Sequence, residues 1–391
     1  MIITQCAVCA TELGLSLGKK CGRCSTRYCG AECQVQHWKE GGHDQLCKKI
    51  KTAGGAEQYN ANEKYAEALA VAVEKCADDT KGQTCYICTQ ALHWKTKEGL
   101  VRGCSCRGTA GFAHVSCLAE QAKILMEEAE YNNLGANVLR ERWDRWHSCS
   151  LCEQEYHGVV RCALGWACWK AYLGRPEADG CRRNAMTLLG AGLTEAHHHE
   201  AAVSVKEAEL AMMRRLGGSE TDMLIVQGNL ANAYIHLERF QEKALRLKRD
   251  VYSGWKKLNG EEHILTFKAG NNYAISLVDL GRIEEAKSLL LEMTPVARRV
   301  LGEADLGMLR MRWICAMALY KDDCATLDDI REAVNTLEEL ERTARRVLGS
   351  AHPTVRDIGD SLRESRQVLS ASDASSITDA FAAMTPSPRG S

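Results

Sequence analysis

Residues 272–283 read NYAISLVDLGRI, and 43 positions earlier residues 229–240 read NLANAYIHLERF. Both stretches begin with Asn, carry a small Ala on their first turn and end in a polar turn, which contains Gly281 in the later copy. A small residue lets two helices approach closely, and glycine is typical of a turn between them. The pair therefore predicts a helix–turn–helix unit that recurs along the chain.

The same spacing extends in both directions from these stretches. Leucine followed by a glycine turn recurs at intervals of 43, 42, 43 and 47 residues, at Leu173-Gly174, Leu216-Gly217, Leu258-Asn259-Gly260, Leu301-Gly302 and Leu348-Gly349. Pairs of Lys or Arg precede the later four marks, and cations followed by glycine are typical of helix C-termini. We therefore expect two helices per period, and the fold class is predicted to be mainly α.

This pattern resembles tetratricopeptide repeats of the kinesin-light-chain type, and the resemblance covers residues 160–369. It implies a helical superhelix whose concave face holds an extended peptide. Asn229 and Asn272 match positions that present side-chain amides to such a peptide. The alternative for both residues is an internal role, in which they cap or bridge helices.

The composition of the whole chain excludes several classes of protein. Its 391 residues contain 50 Lys and Arg against 51 Asp and Glu, so no electrostatic footprint for direct nucleic-acid binding is present. The start of the sequence does not read as an export signal, and no stretch approaches 18 consecutive apolar residues. We therefore expect an intracellular protein without a membrane anchor, in the cytoplasm, the nucleus or both.

The 20 cysteines are concentrated near the N-terminus, 13 of them within the first 117 residues. In a reducing compartment, clustered thiols are more often metal ligands than disulfides. The first set comprises eight ligand candidates, enough for two tetrahedral zinc ions: Cys6, Cys9, Cys21, Cys24, Cys29, Cys33, His43 and Cys47. So short a segment cannot bury enough apolar surface to fold alone, and metal binding would supply the missing free energy.

The first set closely resembles the MYND zinc finger. The resemblance implies that Cys6, Cys9, Cys29 and Cys33 hold one ion, while Cys21, Cys24, His43 and Cys47 hold the other. The His-x3-Cys ending of the family selects His43 over His37. MYND fingers bind short peptides, and Gln34, Gln36 and Trp38 match positions that line their groove. The alternative for Trp38 is that it covers the metal-bound core.

A second set again contains eight ligand candidates, and it predicts two further zinc ions: Cys85, Cys88, Cys104, Cys106, His114, Cys117, Cys149 and Cys152. The tight Cys104-x-Cys106 and the text around His114 resemble the RING-CH, or RING-variant, finger. By resemblance, one site consists of Cys85, Cys88, His114 and Cys117, and the other of Cys104, Cys106, Cys149 and Cys152. A PHD-like finger, which shares the ligand order, is the alternative.

RING-type fingers act as ubiquitin ligases by docking a ubiquitin-conjugating enzyme, and Ile87 occupies the apolar position where that enzyme normally binds. The alternative is that Ile87 packs into the finger itself. Three departures from the family weaken the ligase interpretation: no Trp follows Cys117, Glu153 stands where a basic residue is common, and the gap before Cys149 is long. Its helical text offers Trp143 or Trp146 as a substitute for the missing Trp.

The sequence thus predicts five segments. They are a MYND-type finger over 1–50, a helical linker over 51–84, a RING-CH-type finger over 85–159, tetratricopeptide-like repeats over 160–369 and a disordered tail over 370–391. Six remaining cysteines are predicted to be buried small hydrophobic residues: Cys76, Cys162, Cys168, Cys181, Cys315 and Cys324. Residues 197–199, three consecutive histidines, are predicted to be a solvated stretch.

Together these features predict an intracellular zinc-binding adaptor for protein partners, with no catalytic residues of its own. It is a candidate ubiquitin ligase in which the RING-CH finger recruits a conjugating enzyme. The MYND finger and the repeats would bind peptides or proteins. The alternative is a non-catalytic scaffold, associated with transcription or chromatin through a PHD-like second finger.

Overall fold

Helices dominate the computed structural model, which describes residues 6–11, 13, 17–348 and 353–384. It divides into two units, Met1–Phe240 and Gln241–Ser391. The described residues form one two-stranded antiparallel hairpin, in which β1 (Lys19–Lys20) pairs with β2 (Arg27–Tyr28). All other regular elements are helical, which confirms the mainly α prediction.

The N-terminal unit contains nine α-helices among its described residues. They are α1 (Ala31–Lys39), α2 (His43–Thr52), α3 (Ala56–Cys76), α4 (Val115–Tyr131), α5 (Ala136–Trp143), α6 (Gly158–Tyr172), α7 (Gly180–Glu195), α8 (His199–Leu216) and α9 (Glu220–Tyr234). Short 3-10 helices follow α5 at Asp144–Trp146 and α9 at Glu238–Phe240.

The first cysteine-rich segment has a small core of its own. The fully buried Tyr28 lies at its centre, and Ile50 of α2 and Ala56 of α3 pack around it together with ligand candidates. The core ends at the first turns of α3, where Tyr59 is half-buried against it.

The second cysteine-rich segment shares its core with neighbouring helices. Isolated bridges join Val101 to Ala113 and Ser148 to Glu155, and α4 begins directly after His114. Its buried Phe112 belongs to the same cluster as Ala72 of α3 and Leu164 of α6. This finger is therefore built onto the helices that flank it in the sequence.

Helix α6 is apolar over most of its surface, which suits its packing against α3, α4 and α7. Two glycines permit its close approach to α7. A Cβ on Gly165 would lie 3.0 Å from the Cα of Leu189, and one on Gly192 would lie 2.8 Å from the carbonyl oxygen of Arg161. Neither position has room for a side chain without a shift of the backbone.

The C-terminal unit contains six helices among its described residues: α10 (Gln241–Asn259), α11 (Ile264–Asp279), α12 (Ile283–Leu301), α13 (Leu306–Tyr320), α14 (Leu327–Leu348) and α15 (Pro353–Met384). Consecutive helices pack against each other, and α11 also contacts α13, which contacts α15. One continuous core fills the space between them, with Met308, Leu309 and Met311 of α13 at its centre.

The Leu-Gly marks end helices as predicted. Helices α8, α10 and α12 end at these marks, and Gly217, Gly260 and Gly302 follow them with φ of +67°, +85° and +76°. Gly281 has φ of +70° in the turn between α11 and α12. A left-handed backbone of this kind costs glycine little, and it strains other residues. Helix α14 ends at Leu348, whereas Gly349 lies outside the described residues.

Several local predictions can be compared with the structure. The leftover cysteines divide into three that are buried (Cys76, Cys162 and Cys168), two that are half-buried (Cys181 and Cys315) and Cys324, which is exposed. The prediction of burial is therefore wrong for Cys324, which lies in the polar turn before α14, where no core reaches it.

The C-terminal helix enters the segment that the sequence assigns to a disordered tail. Helix α15 ends at Met384, and residues 385–391 lie outside the described residues. Within the described ranges, the search for a helix long and apolar enough to cross a bilayer finds none.

Candidate metal centres and interaction surfaces

The structure brings the 16 predicted ligands together in four groups of four. Within each group, the candidate ligand atoms lie within 4.8 Å of one another. The groups are Cys6, Cys9, Cys29 and Cys33; Cys21, Cys24, His43 and Cys47; Cys85, Cys88, His114 and Cys117; and Cys104, Cys106, Cys149 and Cys152. These are the interleaved groupings that the two resemblances imply.

The distances between sulfur atoms fit a tetrahedral ion. Zinc–sulfur bonds of about 2.3 Å at tetrahedral angles place two sulfurs about 3.8 Å apart. The observed separations are 3.5 Å for Cys9–Cys29, 3.7 Å for Cys9–Cys33, 3.9 Å for Cys21–Cys47 and 3.8 Å for Cys106–Cys149. A disulfide would need about 2.05 Å, so the spacing suits a shared cation and not covalent pairing.

The two histidines approach their clusters through different ring nitrogens. Nδ1 of His114 lies 3.4 Å from the Cys88 sulfur and 3.6 Å from that of Cys117, while its Nε2 lies 3.4 Å from the carbonyl oxygen of Ala91. That carbonyl can fix the tautomer which leaves Nδ1 open for a metal. In the first finger, Nε2 of His43 lies 3.4 Å from the Cys24 sulfur.

The protonation of crowded thiols also favours a cation. The pKa of Cys9 is lowered to about 6, chiefly by the Thr11 hydroxyl, whereas hydrogen bonds with Cys29 and Cys9 raise the pKa of Cys33 to about 12. The Cys104 thiol similarly lowers the pKa of Cys149 to about 4, and the pKa of Cys104 is raised. Neighbouring thiolates repel each other, so a positive ion is needed to deprotonate all four.

His37 lies beside the first finger's metal candidates without joining them. Its Nδ1 is 3.0 Å from the hydroxyl of Tyr28, and its ring centroid is 4.8 Å from that of His43. Burial, with the nearby His43 as a second cause, lowers the pKa of His37. His37 therefore supports the packing around Tyr28, as expected if His43 is the ligand.

Helix α1 carries the predicted peptide-binding residues of the first finger. Gln34 is half-buried, Gln36 is exposed, and Trp38 is 46% exposed with its ring edge toward His43. Val35 on the same helix is also exposed, although the sequence did not single it out. The Trp38 ring thus both touches the ligand candidate and presents apolar surface to solvent.

In the second finger, two apolar residues occupy equivalent places in neighbouring turns. Ile87 directly precedes Cys88 and is half-buried, and Leu151 directly precedes Cys152 and is 52% exposed. A hydrogen bond of 3.1 Å between the hydroxyls of Tyr86 and Ser150 ties the two turns together. Leu151 was not predicted from the sequence, although its position before the last ligand candidate repeats that of Ile87.

The same finger presents further apolar surface and a buried tryptophan. Leu92 is 58% exposed and Trp94 is 68% exposed, both in the loop that follows Cys88. Trp146 is fully buried, and its indole Nε1 donates a hydrogen bond to the Tyr172 hydroxyl at 3.4 Å. Trp146 therefore anchors the segment before Cys149 to α6.

The two asparagines predicted in the repeats lie on α9 and α11, and both are half-buried. Asn271, the neighbour of Asn272, is buried, and its side chain donates a hydrogen bond to the Gly307 carbonyl at 2.9 Å. A side-chain amide of α11 therefore bridges to α13 through Asn271.

Two family models match the chain. The MYND finger matches residues 6–47, and the RING-variant domain matches residues 85–132. The second match ends before Cys149 and Cys152, which the structure nevertheless places beside Cys104 and Cys106. No curated protein matches the chain.

Solved structures that match part of this chain include three with TM-scores between 0.36 and 0.39. Two crystal structures, one of them of a point variant, show nearly identical TPR-like repeats from a Podosopora anserina protein described as a kinesin light chain. Each is 18% identical and covers 60% of this chain and 97% of its own, with TM-scores of 0.39 for the variant and 0.38 for the other. BtubC (BKLC) from P. vanneervenii is 14% identical and covers 71% of this chain and 96% of its own, with a TM-score of 0.36.

The domains support a role as a protein-interaction adaptor. The chain carries a MYND finger, then a RING-variant finger, and then stacked helical repeats.

Proposed function

We propose that this protein is a zinc-dependent adaptor with ubiquitin ligase activity. In this proposal, the RING-variant finger docks a ubiquitin-conjugating enzyme, and the MYND finger and the repeats bind partner proteins. The observation that carries the proposal is the pair of adjacent turns that present Ile87 and Leu151 on one finger, tied by Tyr86 and Ser150.

In this proposal, the finger positions the conjugating enzyme and does not itself react. The reactive thioester belongs to the conjugating enzyme, so the finger needs a rigid apolar surface and no nucleophile of its own. Ile87 is held because its backbone N–H lies 3.4 Å from the Cys85 sulfur, and Leu151 is held in the same way by Cys149. Trp94 and Leu92 would widen the apolar contact beside them.

Zinc would supply the rigidity of both fingers. We propose that each finger holds two ions, in the four groups of ligands described above, for a total of four per chain. Zinc bound by four protein ligands is structural and leaves no open position for substrate, so the ions would stabilise the docking surfaces without taking part in bond making. Metal analysis of the purified chain should give four zinc ions.

Partner binding is proposed for two surfaces. Gln34, Gln36 and Trp38 of the MYND finger would contact a peptide, and Asn229 and Asn272 would contact peptide backbones on the helical repeats. An intracellular location is proposed as well, since reduced zinc-bound thiols are favoured there.

A ubiquitination assay tests the ligase proposal. The zinc-loaded chain, ubiquitin, an activating enzyme and a panel of conjugating enzymes should yield ubiquitin chains. Ile87→Ala should abolish these chains while the zinc content stays at four, and Leu151→Ala should reduce them. Leu291→Ala removes an aliphatic side chain that is 79% exposed on α12, so it serves as the matched control and should retain activity.

The second candidate function is a non-catalytic scaffold. Glu153 favours it, because an acidic residue follows the last ligand candidate where many active RING fingers carry a basic one. Absence of chains with every conjugating enzyme would support the scaffold, as would binding of a histone-tail peptide to the second finger.

A further inference from the structure

A cleft of about 400 Å³ lies among the helices of the N-terminal unit, and His147 and Glu155 of the second finger lie at its border. We call it the α7–α9 cleft, because Arg183, Thr187 and Leu188 of α7 face Ile225 and Val226 of α9 across it. Positions 183 and 187 of α7 are four residues apart, as are positions 222 and 226 of α9, so each pair lies on one side of its helix and forms a wall. Glu209 of α8 and Arg161 of α6 also line the cleft, as do the carboxylates of Glu155 and Asp222.

Glu209 is an unusual residue for such a place. Its side chain is only 2% exposed, and the Thr187 hydroxyl donates a hydrogen bond to its Oε1. Its Oε2 is buried and makes no hydrogen bond to any described residue. An unsatisfied buried carboxylate oxygen costs about 1–3 kcal/mol or more, so a missing donor is expected at this point.

Two arginines in the same cleft have a buried N–H donor that lacks an acceptor. The Nε atoms of Arg161 and Arg183 are buried and donate to no acceptor in the described part of the chain. Their terminal nitrogens pair with carboxylates that line the same cleft. Nη1 of Arg161 lies 2.7 Å from a Glu155 oxygen, and Nη1 of Arg183 lies 4.0 Å from an Asp222 oxygen. Of the buried polar atoms in the lining that make no hydrogen bond to a described residue, one is therefore an acceptor and two are donors.

The one acceptor and two donors limit which chemical group of a ligand could bind in the cleft. A carboxylate would satisfy the arginines but would face the Glu209 oxygen, and an ammonium group would leave both Nε donors unmatched. A carboxamide has two N–H donors and one carbonyl acceptor, so it can serve both needs at once. Because the Glu209 side chain is buried, the group that would approach it is the end of a ligand side chain.

We propose that the α7–α9 cleft binds the carboxamide of an Asn or Gln side chain in a peptide partner. The amide N–H would donate to Oε2 of Glu209, and the carbonyl oxygen would accept from Nε of Arg183. Leu188, Ile225 and Val226 would contact apolar residues beside the carboxamide. The proposal deepens the adaptor function, on which it rests, and it does not require ligase activity.

Binding of defined peptides tests this site. Four labelled nine-residue peptides would share flanking leucines and differ only in a central Gln, Glu, Lys or Met. Their binding to the full zinc-loaded chain would be followed by fluorescence anisotropy. The Gln peptide should bind at least tenfold more tightly than the other three. Equal binding of all four, or binding of none, would overturn the proposal.

Variants of the chain locate the binding. Glu209→Gln keeps an acceptor for Thr187 but turns an amide N–H toward the cleft, so affinity for the Gln peptide should fall at least tenfold. Arg183→Lys keeps the positive charge and removes the Nε donor, and it should weaken binding several-fold. Glu120→Gln makes the same change at an exposed position of α4 outside the cleft lining and should leave affinity unchanged.

Two further results decide between interpretations. Circular dichroism shows whether Glu209→Gln is still folded. If it is not, the test depends on Arg183→Lys, whose side chain is partly exposed. Unchanged peptide binding by Arg183→Lys would then refute the site. No conjugating enzyme is present in the assay. A chain without ligase activity can therefore still support the carboxamide site, and an active ligase that binds none of the peptides contradicts it.

Discussion

The two fingers hold the same number of ligand candidates and are anchored in different ways. The first packs around Tyr28 in a core that ends at the first turns of α3. The second shares one core with α3 and α6, and its helix α4 packs against α6 as well. An equal set of ligands can therefore produce a self-contained module in one case and a structural part of a helical unit in the other.

This difference predicts which parts of the chain should lose structure when the metal is removed. Disruption of the first finger should remain local, because few contacts connect its core with the later helices. Disruption of the second should spread into α6, whose residues Val160, Ala163 and Leu164 belong to that finger's core.

The largest expected effect comes from removing one buried ligand candidate in each finger. Zinc binding supplies on the order of 10 kcal/mol or more to small zinc modules, so either Cys149→Ser or Cys21→Ser should unfold its own finger. Hydrogen exchange read by mass spectrometry should show loss of protection in α6 for Cys149→Ser only. If the amides of α6 stay protected in Cys149→Ser, the structure of α6 does not depend on the second finger.

A smaller effect tests the contact between the second finger and α6. A Cβ on Gly103 would lie 2.5 Å from the Cβ of Val160, so Gly103→Ala should lower the free energy of unfolding by about 1–3 kcal/mol. Urea denaturation of the full chain measures the change. The control is Gly22→Ala in the first finger, where a Cβ would meet nothing within 4 Å and the change should stay within about 0.5 kcal/mol.

Chemical labelling sharpens the comparison within the first finger. Cys9 and Cys29 are exposed, whereas Cys24 and Cys47 of the neighbouring cluster are buried. With iodoacetamide present and the zinc retained, the two exposed thiols should be alkylated at least tenfold faster than the two buried ones. Peptide mapping by mass spectrometry follows each site, and equal rates would show that the finger opens as one unit.

The smallest effect concerns an ion pair that links the second finger to the end of α6. Both carboxylate oxygens of Glu130 accept hydrogen bonds from Arg175, at 2.7 and 2.8 Å, and these bonds lower the pKa of Glu130. A lowered carboxyl pKa means that the stabilisation is present above the group's ordinary pKa, and so in full at pH 7.

Both side chains are partly exposed, so Glu130→Gln should cost less than about 1 kcal/mol, and 1 M salt should reduce that cost. Urea denaturation at low and high salt measures it. Glu127→Gln breaks a looser pair with Lys123 inside α4 and should change almost nothing. A larger loss for Glu127→Gln would argue against the linking role of Arg175.

Much of the site was predictable because spacing along a short chain limits which thiols can meet. The 16 ligand candidates and their groupings came from the sequence and its resemblances, and the structure brings the same groups together. Leu151 could have been found by the same logic as Ile87. The α7–α9 cleft could not, since Arg161, Glu209 and Ile225 lie on three different helices.

By itself, the sequence determined that the chain is mainly helical, where helices end at Leu-Gly marks, and which Cys and His residues are ligand candidates, whereas their grouping into four clusters was implied by the resemblance to two finger families. These features are local, because turns, caps and closely spaced thiols depend on neighbouring residues. Only the tertiary structure decided that the second finger shares its core with α6 and that Glu209 and two arginines remain unsatisfied in one cleft. Those outcomes depend on side-chain packing between distant helices, which no single period of the sequence encodes.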